Sequence, residues 1–190
     1  EKMSKSLGNI VYIRDLLKNH HGETLRLALL SSHYRQPLNW NSKTIEQSKK
    51  MLNKFYQALK NAEEIEVDAE NLSKNVPDSL KSSLCDDLNT SRAIADINEI
   101  SKKLSKENNL ENKAELKKSL LAAGSIMGIL NCNPDDWLNF NKENKNIDIE
   151  KIEKLINDRN DARNRKDFSL ADKLRLELSD MGIELEDTPK

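Results

Sequence analysis

The first nine residues carry the densest chemistry in the chain. In Glu-Lys-Met-Ser-Lys-Ser-Leu-Gly-Asn, Lys2 and Lys5 stand three positions apart, interleaved with Ser4 and Ser6 and followed by Gly8. Two ammonium groups among small hydroxyls suit a loop that closes on a polyphosphate. Lysine is a compact charge with rotatable donors, so it can follow phosphate oxygens as charge moves onto a pyrophosphate leaving group. By spacing alone the string is equally a solvated basic terminus. Metal chemistry has less support. Cys85 and Cys132 lie far apart, neither with a second Cys or a nearby His at ligand spacing, and they read as thiols of a reducing compartment. His20, His21 and His33 have no accompanying cysteine and read as capping or surface residues.

The elements that must position these lysines are nearly all helical. Five glycines and four prolines in 190 residues leave few breaks. Gly8 and Gly22 bracket a short segment, Tyr12 to Asn19, and Glu23 to about His33 carries Leu25, Ala28, Leu29 and Leu30 at helical spacing before Pro37 interrupts. From Ser42 to about Ile65, the apolar positions Ile45, Leu52, Phe55, Tyr56 and Leu59 recur on one side of an amphipathic helix. Residues 61–76 read as an acidic, Asn-rich loop. Pro77 then suits the first turn of a helix in which Leu80, Leu84 and Leu88 repeat every four, and Thr90 is placed to cap the next, with Ala93, Ile97, Ile100 and Leu104. Leu116, Leu120, Ala123, Met127 and Leu130 complete a set of stripes that face one another in a bundle.

Residues 131–146, rich in Asn, Asp and Lys around Pro134, read as a linker anchored by Trp137 and Phe140. Beyond it, Ile149, Ile152 and Ile156 open a helix whose later turns carry Arg159, Arg163 and Lys166 on one face. Ser169 caps a last helix holding Leu170, Leu174 and Leu178, Gly182 stops it, and Ile183 to Leu185 reads as a short strand. The fold class is therefore mainly α: a helical bundle over 41–146 preceded by a loop and stem-contact region over 1–40, and followed over 147–190 by a small α-rich module with a short strand. No apolar run approaches the roughly 20 residues a membrane helix needs, and no secretion signal opens the chain, so it reads as soluble.

Charge follows the same division. The chain carries 31 basic and 32 acidic side chains, net -1, which excludes a uniformly basic nucleic-acid binder and a polyanionic tail. Residues 1–60 nevertheless hold 11 basic against 4 acidic side chains, net +7. The next 87 residues, 61–147, are net -5 and the last 43, 148–190, are net -3. A basic first third is what a phosphate-facing surface shows, although for any one lysine a solvated face is the simpler reading.

These residues resemble a known family. Lys2-Met3-Ser4-Lys5-Ser6 followed by Leu7-Gly8-Asn9 is similar to the signature loop of class I aminoacyl-tRNA synthetases. The His33-Tyr34-Arg35-Gln36-Pro37-Leu38-Asn39-Trp40 block, the Cys85-Asp86-Asp87-Leu88-Asn89-Thr90 block (with Leu88 where an aromatic is usual) and the stretch from Arg159 to Asp172 with Met181 to Pro189 resemble the cysteinyl-tRNA synthetase family. The resemblance implies an ATP-dependent ligase that makes cysteinyl-adenylate, releases pyrophosphate and transfers cysteine to tRNA(Cys). It implies that this chain is the C-terminal part, inactive alone, because the family's catalytic domain and zinc ligands precede the lysine loop. It also implies ATP contact through Lys5 with help from Lys2, zinc only in the absent domain, a cytoplasmic monomer and no membrane partner.

By the same resemblance, Arg163, Phe168, Asp172 and Asp187 form the anticodon-reading set, with Arg159, Arg165 and Lys166 as backbone contacts. The chemistry fits: an arginine fork donates twice to a guanine edge, an aromatic ring stacks on a base, and carboxylates accept from base amino or imino groups. Each has an ordinary alternative. Arg163 can pair with Asp167, Asp172 can complete a capping box with Ser169, Phe168 can be a hydrophobic staple, and Asp187 can be a solvated turn residue. The region from 42 to 130 reads as scaffold, with Lys43, Lys49, Lys50 and Lys54 either facing the tRNA backbone or merely wet. Two rivals remain open: a related ligase that joins cysteine to an amino sugar, which lacks an anticodon reader, and a non-catalytic tRNA-binding fragment. The family's tail beyond Asp-Thr-Pro is missing here, which bears on how Asp187 is held.

Overall fold

A computed structural model describes residues 3–7, 10–68, 72–143, 149–165, 167–180 and 183. Among them are nine α-helices and no strand: α1 (Ile13–Leu16), α2 (Gly22–Leu30), α3 (Ser42–Lys60), α4 (Asp78–Cys85), α5 (Thr90–Lys106), α6 (Leu110–Met127), α7 (Pro134–Glu143), α8 (Ile149–Asn164) and α9 (Phe168–Asp180), with 3-10 turns at Lys5–Leu7 and Leu72–Asn75. The mainly α class holds. Of the expected strand, Ile183 belongs to no strand and Glu184 and Leu185 lie outside the described residues.

The chain divides into two compact units, residues 1–141 and 142–190. In the first, α3 is the central element. Its Leu52, Phe55, Tyr56 and Leu59 are buried together with Leu80 of α4, Ala93, Ile94, Ile97 and Leu104 of α5, and Leu120, Ala123 and Met127 of α6. These are the stripes legible in the sequence, and each fully buried large side chain contributes roughly 1.5–3 kcal/mol. α2 packs along α3, so the region that follows the lysine loop belongs to the same unit as the bundle. In the second unit α8 packs on α9, around Ile152, Leu155 and Leu178 with Ile156, Leu174 and Ile183.

Several helix ends differ from expectation, two of them because a polar side chain offered a better cap. Asn89, not Thr90, caps α5, its side chain accepting from the Arg92 N–H. Pro77 sits just before α4 rather than inside its first turn. α4 stops at Cys85, so Leu88 does not continue the every-fourth pattern. The expected linker 131–146 is not a plain one over its described residues, 131–143: Asn133 accepts from the Asp135 N–H, Pro134 occupies the first helical position, and α7 follows with Trp137 buried. Asp167, not Ser169, caps α9, its carboxylate accepting from the Leu170 N–H at 3.1 Å. A carboxylate at that position satisfies an orphan donor and meets the positive end of the helix dipole.

Candidate functional site

The lysine loop is described in part. Lys2 lies outside the described residues, and of Lys5 only the backbone is described, opening the 3-10 turn Lys5–Leu7. The turn is tied by the Leu7 N–H, 3.3 Å from both the Ser4 carbonyl and the Ser4 hydroxyl, and Ser4 Oγ lies 3.1 Å from Ser6 Oγ. Ser4, which lies between the two lysines, thus organises the backbone. Downstream, Val11, Tyr12, Ile13 and Leu17 are all exposed.

Helix α2 is far more firmly held. His21 caps it through Nδ1, which accepts from the Glu23 N–H. Glu23 is only 5% exposed, and its carboxylate accepts from the Tyr56 hydroxyl at 2.7 Å and from the Leu130 and Asn131 N–H groups at 2.9 Å each. Three donors around one carboxylate explain why a charge can sit in this core. Burial first, then the Glu23 contact, push the Tyr56 phenol above its ordinary range. His21 meets Trp137 and Phe140 edge-on, at 4.7 and 5.2 Å between ring centroids, and its Nε2 lies 3.5 Å from Cys132 Sγ. The cysteine thiol is pushed up by burial, the opposite of an activated nucleophile. His21 is therefore a structural residue, as read from the sequence.

The segment just beyond α2 is fixed by a second carboxylate. Asp87 accepts from Tyr34 Oη at 2.6 Å and from Arg35 Nε and Nη2 at 2.7 and 3.1 Å, while His33 Nε2 lies 3.0 Å from the Asp87 carbonyl. The Arg35 guanidinium, then the Tyr34 hydroxyl, hold the Asp87 carboxyl below the usual range. Asp87 and Leu88 have φ of 51° and 53°, and the Asn89 N–H closes on the Asp86 carbonyl. That is the backbone of a two-residue turn which most side chains avoid. Two blocks read separately in the sequence therefore touch. Glu23 leaves no local spacing, and Asp87 stands in its block without a visible partner, because their partners are up to 108 residues away.

In the second unit, Arg163 stands in the last turn of α8, Phe168 opens α9 and Asp172 lies one turn on. All three are exposed, Phe168 at 64%. They flank one elbow, in which the Asp167 N–H donates to the Ala162 carbonyl at 2.9 Å. Because Asp167 is the cap, Asp172 completes no capping box with Ser169, and Phe168, at the first helical position, is not a staple. Asp187 and Lys166 lie outside the described residues. Arg165 is exposed. Arg159 departs from expectation: at 6% exposure it is buried on the α8 face that carries Ile152, Leu155 and Ala162, so it is not a surface contact to an RNA backbone. The steps of 3, 4 and 3 from 152 to 162 place it on the apolar stripe.

Residues 1–50 match the model of the class I (C) tRNA synthetase catalytic domain, and residues 80–131, spanning α4 to α6, match the DALR domain. The full 190 residues align at 42% identity with a cysteine-tRNA ligase of Parvibaculum lavamentivorans, and at 40% with those of Rhodospirillum rubrum and Rickettsia bellii. The chain matches the C-terminal part of cysteine-tRNA ligases. It spans about 40% of the length of these ligases. The DALR domain is an α-rich anticodon-binding module, and the match falls on the bundle read from sequence as scaffold. Among the described residues no group of three or more His, Cys, Asp or Glu is arranged to hold a metal ion, and no helix is long and apolar enough to cross a membrane.

Proposed function

We propose that this chain supplies two parts of a cytoplasmic, monomeric cysteine-tRNA ligase: the lysine loop that contacts ATP during adenylate formation, and the end that reads the tRNA(Cys) anticodon. The observation that carries the reading is the alignment along the whole chain with cysteine-tRNA ligases, together with the exposed Arg163, Phe168 and Asp172 around one elbow. An amino-sugar ligase has no use for that elbow, and the DALR match speaks against it too.

ATP is a substrate here, and its triphosphate needs cations where charge develops. Lys5, with Lys2, would lie along the β- and γ-phosphates and stabilise the departing pyrophosphate, while Ser4 keeps the turn that presents Lys5. Cysteine and any zinc would be held by the part of the ligase that precedes this region in the family. In the full-length ligase, Lys5→Ala is expected to slow cysteine-dependent pyrophosphate exchange about 100- to 1000-fold, as for loss of one transition-state donor. An unchanged exchange rate would remove Lys5 from the reaction.

For the tRNA end, Arg163 would donate to a base edge, Phe168 would stack, and Asp172 and Asp187 would accept. The bundle would bear on the RNA backbone through the exposed Lys43, Lys50 and Lys54 of α3. The test is a binding titration with tRNA carrying the GCA anticodon and with an anticodon-substituted tRNA, each at two salt concentrations. Arg163→Ala should cost about 1–3 kcal/mol of discrimination between the two. Lys50→Ala should weaken both RNAs alike and reduce the salt slope by about one. Equal affinity of the unsubstituted chain for both RNAs would leave only phosphate binding.

A further inference from the structure

Arg159 is the charged residue for which the surface-contact reading fails, and its burial asks for another role. It lies one helical turn before Arg163, on the α8 face that meets α9, in a unit whose described core is a handful of aliphatic side chains. A guanidinium there carries a desolvation penalty that a leucine or methionine of similar volume would avoid, so stability alone does not account for it. Its distinguishing property is direction. Apolar contacts tolerate a small roll of one helix on another, whereas the rigid five-donor fork of a buried arginine is satisfied in one arrangement only.

The base-reading side chains come from two helices: Arg163 from α8, Phe168 and Asp172 from α9. Their mutual placement depends on the roll of α8 against α9. We infer that Arg159 is a positioning residue for anticodon reading, a buried cation that fixes this roll and thereby sets Arg163 relative to Phe168 and Asp172, without itself touching RNA. This rests on the base-reading assignment proposed above, and the experiment separates the two.

Arg159→Met, Arg159→Lys, Arg163→Ala and the Arg159→Met/Arg163→Ala pair are compared in the same chain. Affinity for GCA tRNA and for the anticodon-substituted tRNA is measured at two salt concentrations, with helical content monitored by circular dichroism. Arg159→Met is expected to keep its helical signal and its salt slope while the discrimination ratio falls at least tenfold. Arg159→Lys, a point charge without the fork, should lose the ratio as well. The double variant should lose no more than Arg163→Ala alone, since both act through one contact. An unchanged ratio in Arg159→Met, a salt slope lower by about one, additive losses in the double variant, or collapse of the helical signal in both Arg159 variants would each overturn the inference. If Arg163→Ala leaves the ratio untouched, the base-reading assignment fails and takes this inference with it. If Arg163→Ala lowers the ratio and Arg159→Met does not, only the positioning role fails.

Discussion

Glu23 sets one buried carboxylate against a hydroxyl and two backbone N–H groups, and the consequences of disturbing it can be worked out donor by donor. Glu23→Gln keeps the volume but turns one acceptor into a donor facing an N–H, and an unsatisfied buried donor costs about 1–3 kcal/mol. A drop of that size in urea-unfolding stability is the expected outcome; an unchanged midpoint would mean the loop at Leu130 and Asn131 does not need the carboxylate. Tyr56 adds a pH dependence. Its phenol is pushed up in the folded state, so the fold holds that proton more tightly than the unfolded chain does. The contribution is fully present below the unfolded phenol value near pH 10 and is lost as pH rises beyond it, at up to about 1.4 kcal/mol per pH unit. Tyr56→Phe should flatten that alkaline limb, which urea unfolding at pH 8 and at pH 11 would read directly.

At the scale of elements, the turn between α4 and α5 shows where periodicity misleads. Leu80, Leu84 and Leu88 repeat every four residues, yet Leu88 is 59% exposed with φ of 53°. The helix ends because Asn89 caps α5 and Arg35, from 52 residues earlier, takes the Asp87 carboxylate. A spacing rule registers hydrophobicity along one segment and is blind to a clamp arriving from another. Leu88→Gly is expected to be neutral or to stabilise by up to about 1 kcal/mol in thermal unfolding, because a left-handed leucine costs about 1–2 kcal/mol and little burial is lost. Gly128→Ala is expected to do the reverse. Its φ is 67° and an added Cβ would lie 3.0 Å from Arg26 Nη1, the side chain that donates to the Gly128 carbonyl. The α8–α9 elbow teaches the same lesson in reverse: the helix pair was legible, while the burial of Arg159 depends on how the two helices meet.

For the whole molecule, the stripes of α3 to α6 were legible because one large core imposes strict helical spacing on every element that lines it. The second unit was legible as helices but not in its interior, since a core of a few aliphatics leaves room for an arginine on the apolar stripe. The two cores should respond separately. Leu52→Ala, in the first, is expected to cost about 2–5 kcal/mol, whereas Leu178→Ala should lower the melting of α8 and α9 while leaving the main transition in place. Calorimetry showing one transition shifted equally by both substitutions would contradict that. The near-neutral total charge likewise conceals unlike parts, and a basic first third suits an RNA-facing surface better than the sum suggests.

The two carboxylates that hold α2 and the segment after it also impose an order on synthesis. Glu23 cannot find its backbone partners until Leu130 and Asn131 have left the ribosome, 107 and 108 residues later. At roughly 5–20 residues per second, that is a wait of about 5–20 s in which α2 can pack on α3 and Tyr56 can reach Glu23, but the two backbone partners are not yet made. Asp87 arrives sooner, so the segment that follows α2 can dock first, and the end of α2 nearest the lysine loop is secured last.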